Sequence, residues 1–297
     1  MARAGGPGDR CGSLSTLRRK ALLTVLAISG VLSVLTGCQS TLDHIKANYA
    51  VKQGNDLYKA EGYLKAIDWY RYATYLNPDL DIAYKNTAFA YMGEYKPGSK
   101  HPKDIRYSQG AIDNLKQYLK HYGDDQDAEN YLLTVYLESE RFDEAAAYFE
   151  DRLRQKGSDT DAASSLMQRI GMIYAKKGDF EQSLEWYKKR AEIRKDDPEA
   201  LYTIGVLCWD KVYHAPLTID LDRRKELIEL GLQYLKRAMD LRDPYSAAAL
   251  YVNLLYREKA KVGQQTGNMD EYAHWMQEAD KMQKVGIEMR KAEMAQK

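Results

Sequence analysis

Only three cysteines occur in the 297 residues, Cys11, Cys38 and Cys208, too few and too scattered for a disulfide framework or a cysteine-based zinc site. The five histidines, His44, His101, His121, His214 and His274, show no metal-ligand spacing with one another or with the cysteines. A Gly-rich phosphate loop and a nucleophile elbow are also missing, so no catalytic or metal-binding residue is assigned and the chain reads as a non-enzyme. Neither sign of charge is in excess, 44 basic against 43 acidic side chains, which leaves no basic surface for nucleic acid. No run alternates polar and apolar residues as a strand does, and phenylalanine is scarce at four residues. What is there is 44% hydrophobic and 29% charged residues, enough for a sizeable core, which excludes disorder and a multi-span membrane protein. Tyrosine, at 24 residues, takes the place of phenylalanine, so the core must be lined with rings whose hydroxyls reach an edge or a partner. Cys208, among Ile204, Val206, Leu207 and Trp209, reads as a small buried apolar residue.

The N-terminus is an address. Ala21 to Leu35 is an uncharged apolar run of 15 residues directly after Arg18-Arg19-Lys20. It is short of the roughly 20 residues a bilayer span needs and matches the core of an export signal. Leu35-Thr36-Gly37-Cys38 follows and resembles the lipobox of bacterial lipoproteins. That resemblance implies cleavage after residue 37, diacylglycerol on the Cys38 sulfur, and an acyl chain such as palmitate on the new amino group. The alternative is an uncleaved signal anchor. Gln39 is not the Asp associated with inner-membrane retention, which implies lipid anchoring at the periplasmic face of the outer membrane. Twenty residues precede the apolar run, long for such a signal and compatible with a start codon further downstream. Without residues 1–37 the balance becomes 39 basic against 42 acidic.

The remainder is organised by a repeat. Gly54 and Leu57, then Ala66 and Tyr70, then Ala73 and Pro78 form a pattern that recurs as Ala88, Tyr91, Ala111, Leu115; Leu133, Tyr136, Ala145, Phe149; and Gly171, Tyr174, Ser183, Tyr187. A fifth copy has Gly205, Cys208, Gly231 and Leu235, and a degenerate sixth has Asn253, Tyr256, Trp275 and Ala279. The leading positions lie 34, 45, 38, 34 and 48 residues apart. Small residues such as Gly54 and Ala66 let paired helices approach while Tyr58, Tyr70 and Phe149 fill the adjacent space. Pro78, Pro198 and Pro244 fall between hairpins, and Asp143 to Glu150 is dominated by good helix formers. Together these features resemble the tetratricopeptide (TPR) repeat. The expected fold is all-α, a TPR-type helical-hairpin solenoid of about six repeats with a C-terminal capping helix. Its expected segments are a signal over 1–37, a lipidated linker over 38–46, the repeats over 47–268 and the cap over 269–297. The last of these, an amphipathic charged stretch, has a membrane- or partner-binding helix as its alternative.

In TPR families the first helices of successive hairpins line a groove that takes extended peptides or helices. The resemblance places Asn55, Tyr58, Lys85, Phe89, Asn130, Thr134, Gln168, Met172, Tyr202, Val206 and Trp209 there, each aromatic having packing between helices as its alternative. TPRs that clamp a C-terminal carboxylate need two amides and three basic residues. Asn55 and Asn86 offer the amides, but Val51, Asp127 and Tyr131 stand where the bases belong, so a carboxylate ligand is not expected. The excess length of three repeats is expected as loops at Met92–Ile105, Trp209–Leu221 and Lys261–Met269, a second docking surface or neutral growth. The acidic pairs Asp124-Asp125, Asp196-Asp197 and Asp220 with Asp222 read as helix caps. The functional expectation is a membrane-anchored periplasmic scaffold that binds another protein of the cell envelope. No cofactor beyond the lipid on Cys38, no small-molecule substrate and no nucleic acid are expected. Six repeats after a lipobox most resemble the TPR lipoproteins of type IV pilus secretin assembly and of gliding motility, more than the helical-repeat lipoprotein of outer-membrane barrel assembly. A cell-wall-active enzyme or a peptidoglycan-binding structural lipoprotein is the alternative.

Overall fold

The computed structural model describes Met1, residues 41–214 and residues 219–296. Cys38, Cys11 and the export-signal segment lie outside them. Among the described residues there are twelve helices and no strand. After α1, residues 41–59, come α2 (Tyr63–Leu76), α3 (Asp81–Glu94), α4 (Pro102–Leu119), α5 (Gln126–Glu138) and α6 (Phe142–Lys156). They are followed by α7 (Thr160–Lys177), α8 (Phe180–Ile193), α9 (Pro198–His214), α10 (Leu221–Leu241), α11 (Ser246–Gln265) and α12 (Met269–Ala295). The all-α expectation is met, as six successive hairpins. The chain forms two compact units, 1–135 and 136–297, dividing within α5.

Within each unit the repeat positions explain why the helices pair. All six leading positions fall on first helices and are buried, from Gly54 on α1 to Asn253 on α11. Their partners Ala66, Ala111, Ala145, Ser183, Gly231 and Ala279 sit on the second helices, equally buried. The pairing is steric. A Cβ on Gly54 would overlap the Tyr70 ring, and one on Gly171 would lie 2.9 Å from the Tyr187 ring, so both aromatics seat against bare backbone. Hairpin turns close through a left-handed residue after the first helix, Glu61 at φ 58° and Glu140 at φ 57°, with glycine at the equivalent Gly178. The acidic pairs cap helices: Asp125, Asp197 and Asp220 accept from the backbone N–H groups of Ala128, Glu199 and Arg223 at 2.8–2.9 Å.

The expected long loops are partly helix, with residues 95–101 between α3 and α4 staying outside helix and residues 215–218 lying outside the described residues. Trp209 to His214 extends α9, and Lys261 to Gln265 extends α11, leaving only Thr266–Asn268 before α12. In the third case Pro102 to Ile105 forms the first turn of α4, with His101 accepting the N–H of Lys103 at 3.2 Å as its cap. Extra residues here lengthen helices whose internal hydrogen bonds are satisfied, a more economical solution than solvating loop backbone.

In the second unit α12 packs along α11 as the second helix of the sixth hairpin, so the residues expected as a separate cap belong to the last repeat. Ala279 is fully buried, and Trp275 stacks on Tyr256 at 5.3 Å. Near the far end of α12, Glu293 accepts both the backbone N–H and the hydroxyl of Ser246, at 2.7 and 2.6 Å, and so caps α11 from another helix. Beneath lies a buried ion pair, Arg224 on α10 with Glu258 on α11 at 2.9 Å, joined by Lys261 at 2.6 Å. Both Arg224 and Glu258 are shielded from water.

Candidate functional site

In the first unit, three expected groove residues converge. Asn55 and Tyr58, one turn apart on α1, and Phe89 on α3 line a cavity of about 130 Å³ with Lys59, Tyr70 and Asn86. Asn55 Oδ1 accepts the Tyr70 hydroxyl at 2.8 Å and the Asn86 amide at 3.0 Å. Among the described residues no further hydrogen bond engages the Asn55 amide nitrogen or the Asn86 side-chain oxygen, so the cavity lining keeps an amide donor group and an amide acceptor. Burial, with Tyr58 next, pushes the Tyr70 phenol up to about 12, so it remains a neutral donor that fixes the Asn55 amide orientation. Tyr58 is likewise shifted up by burial, then by Tyr63 and Tyr131, and packs edge-on against Tyr63 at 5.2 Å. Phe89 meets Tyr131 edge-on at 4.9 Å, so its face and that ring share one aromatic wall. The cavity thus joins an amide pair to aromatic sides, the combination that recognises a peptide unit with an apolar side chain.

Lys85 is committed elsewhere. Its ammonium bonds Asp125 at 2.7 Å and lies 4.9 Å over the Tyr118 ring, while the Tyr118 hydroxyl donates to the same carboxylate at 2.8 Å. The Lys85 hydrogen bond holds the Asp125 carboxyl well down, at about 2. Asn130 and Thr134 are exposed along α5, with the Thr134 hydroxyl turned back to the Asn130 carbonyl at 2.9 Å.

The second unit holds the other expected residues. Tyr202 and Val206 on α9 line a cavity of about 270 Å³ with Tyr187, Thr203, Leu207 and Asp210. Trp209 stands outside it, stacked on Tyr213 at 5.0 Å and edge-on to Tyr251 at 5.2 Å, which Tyr202 also meets edge-on at 5.6 Å. Its indole N–H is buried with no hydrogen-bond partner among the described residues. Burial and then Tyr251 push the Tyr202 phenol up to about 12. On α7, Gln168 is exposed and Met172 half-buried. Burial also lifts the Cys208 thiol to about 12, which makes it an inert core residue. Lys59, Thr203, Leu207 and Asp210 line the two cavities, and Tyr251 meets Tyr202 and Trp209, at positions that spacing alone did not pick out. Tyr251 carried the most legible signal, since it lies two residues before the leading position Asn253 of its repeat. Among the described residues there is no group of three or more His, Cys, Asp or Glu side chains able to hold a metal ion.

Fold and surfaces together define an all-α hairpin-repeat protein whose first helices present amide and aromatic side chains. The repeat itself is identified at one position: residues 164–197, on α7, α8 and the turn after them, match the tetratricopeptide repeat family. Over 78 residues the chain is 30% identical to the Photosystem I assembly protein Ycf3 of Acaryochloris marina (strain MBIC 11017), a stretch covering 26% of this chain and 47% of that protein. Among solved structures, a TPR repeats protein from Bacteroides fragilis NCTC 9343 is 16% identical with a TM-score of 0.43, covering 72% of this chain and 98% of that one. PilW, a type IV pilus biogenesis factor, is 16% identical with a TM-score of 0.39, covering 77% of this chain and 90% of that one.

Proposed function

We propose that this protein is a lipid-anchored envelope scaffold: Cys38 carries the acyl chains, and the first-helix surfaces hold an extended segment of another envelope protein. The observation that carries the reading is the Asn55–Asn86–Tyr70 arrangement, which leaves one amide donor and one amide acceptor beside the aromatic wall of Tyr58 and Phe89. A main-chain peptide group presents the complementary acceptor and donor, so the site suits an extended peptide in any register that places an apolar side chain against Phe89. Within the class of envelope machines, assembly of a type IV pilus secretin or a gliding-motility complex is the assignment that a lipobox followed by six hairpins favours.

Two measurements test the two halves separately. Cys38→Ser is expected to abolish uptake of labelled palmitate and to leave an unprocessed precursor; normal labelling would refute the anchor. Phe89→Ala is expected to weaken capture of the partner from detergent-solubilised membranes by about 1–3 kcal/mol with helix content unchanged. Undiminished capture would remove the first-unit cavity from the binding surface.

A further inference from the structure

Resting on the Cys38 anchor, we infer that the outer face of the first hairpin lies in the interfacial layer of the membrane, where it fixes the orientation of the first unit on the leaflet. The face is built by two antiparallel helices. Leu42, Ile45 and Tyr49 recur on one side of α1, and Trp69, Tyr72 and Tyr75 occupy α2. Tyr49 lies 6.4 Å from Trp69 and Trp69 6.4 Å from Tyr72, each pair edge-on, so the rings form one continuous strip. The Asn77 amide donates to His44 Nδ1 at 3.0 Å, which sets the start of α1 beside the end of α2 and brings Leu42 and Tyr75 to the same end.

This strip faces outward. Ile45 is 61%, Tyr49 58% and Tyr75 80% exposed, a concentration of bare apolar and aromatic surface on the hairpin next to the anchor. What covers it follows from chain length. Only residues 39 and 40 separate Cys38 from Thr41, the first described residue of α1, a tether whose covalent reach is at most about 11 Å. With Cys38 acylated at headgroup level, so short a tether keeps the start of α1, with Leu42 and Ile45, close to the same leaflet. The composition suits that depth: tyrosine and tryptophan prefer the membrane–water interface, and the adjoining Lys46 and Arg71, both exposed, can reach lipid phosphates. Away from the tether the surface turns polar, with exposed Asp56 and Asp68, so contact is graded along the hairpin. None of the described helices is long and apolar enough to cross a membrane, so the contact is superficial.

The test uses full-length protein produced in a lipoprotein-processing bacterium and reconstituted into vesicles of phosphatidylethanolamine and phosphatidylglycerol. A fluorophore is attached at Tyr75→Cys or, as the far-end control, at Ala60→Cys, about 27 Å along α1 from Leu42. Nitroxide-labelled lipid is expected to quench the Tyr75→Cys probe at least threefold more than the Ala60→Cys probe, with palmitate incorporated. Equal, weak quenching of a palmitoylated protein would overturn the proposal and leave the anchor standing. A Tyr75→Cys probe shielded from both nitroxide lipid and iodide would indicate a protein, or a second copy of this chain, on the face and would equally overturn it. Strong Tyr75→Cys quenching without palmitate would support the membrane face while removing the anchor; absence of both would overturn both.

Discussion

The first and last hairpins differ in how their helices are tied together and in what they leave exposed. Each ends a row of stacked helices and so has a face with no further hairpin to cover it. In the second unit α12, the second helix of the last hairpin, buries Ala279, stacks Trp275 on Tyr256 and ties Glu293 to the start of α11, while Val285, Ile287 and Met294 stay exposed. In the first unit the corresponding face keeps Ile45, Tyr49 and Tyr75 in the open. The interiors differ as well, with a buried ion pair under α12 and a half-exposed Lys85–Asp125–Tyr118 cluster in the first unit.

The largest effect is expected at the buried pair. Glu258→Ala leaves the Arg224 guanidinium shielded and unpaired and should cost about 3–5 kcal/mol, measured by urea unfolding of the full chain. A cost below about 1 kcal/mol would mean that water reaches this pair. Next comes the last hairpin. Trp275→Ala removes the ring stacked on Tyr256 and should cost about 2–3 kcal/mol.

Acid should act first on the other unit. The Asp125 carboxyl is held at about 2 against an ordinary 3.8, chiefly by the Lys85 hydrogen bond, so its ionised form is favoured in the folded state. The contribution, about 2 kcal/mol, is complete above the unfolded value, declines as pH falls from about 4 toward 2, and is lost below that. Asp125→Asn should remove this pH dependence, as followed by exchange protection of α3 and α4 amides. The smallest effect belongs to the uncovered face. Tyr75→Ser should change stability in detergent-free solution by no more than about 0.5 kcal/mol, because its ring, 80% exposed, already meets water. A large loss there would make the face part of the core and erase the contrast between the two ends.

The hairpin architecture was legible because the steric requirement repeats: Gly54 with Tyr70 and Gly171 with Tyr187 are each 16 residues apart, and a bare backbone opposite a ring leaves its mark in composition. Helix ends were legible where a short polar side chain caps them, as at Asp220. Repeat length alone points to loops, and residues 95–101 do lie outside helix, whereas residues 209–214 and 261–265 continue α9 and α11, His101 is a cap, and a Cβ on Gly263 would lie 3.0–3.2 Å from Tyr272, Asn268 and Glu271. Burial on an extended helix pair outweighed local propensity there. For the candidate site, Asn55, Tyr58 and Phe89 could be placed by register, since all face one side of first helices. The commitment of Lys85 to Asp125 could not, because the two lie 40 residues apart and nothing local marks the pair. Nor could the role of Asn86, whose amide matters only once Tyr70 has fixed the partner it bonds.

The account stands or falls on whether the amide and aromatic cavity of the first unit holds a protein segment. The most direct measurement is photocrosslinking in intact cells, with a photoreactive residue replacing Phe89 and, as the control on the same unit, exposed Tyr122. A single envelope protein joined at position 89, lost when Asn55→Ala is added and not seen from position 122, is the expected result. Equal adducts from both positions, or none from position 89 in cells where the protein is lipidated and membrane-bound, would contradict it.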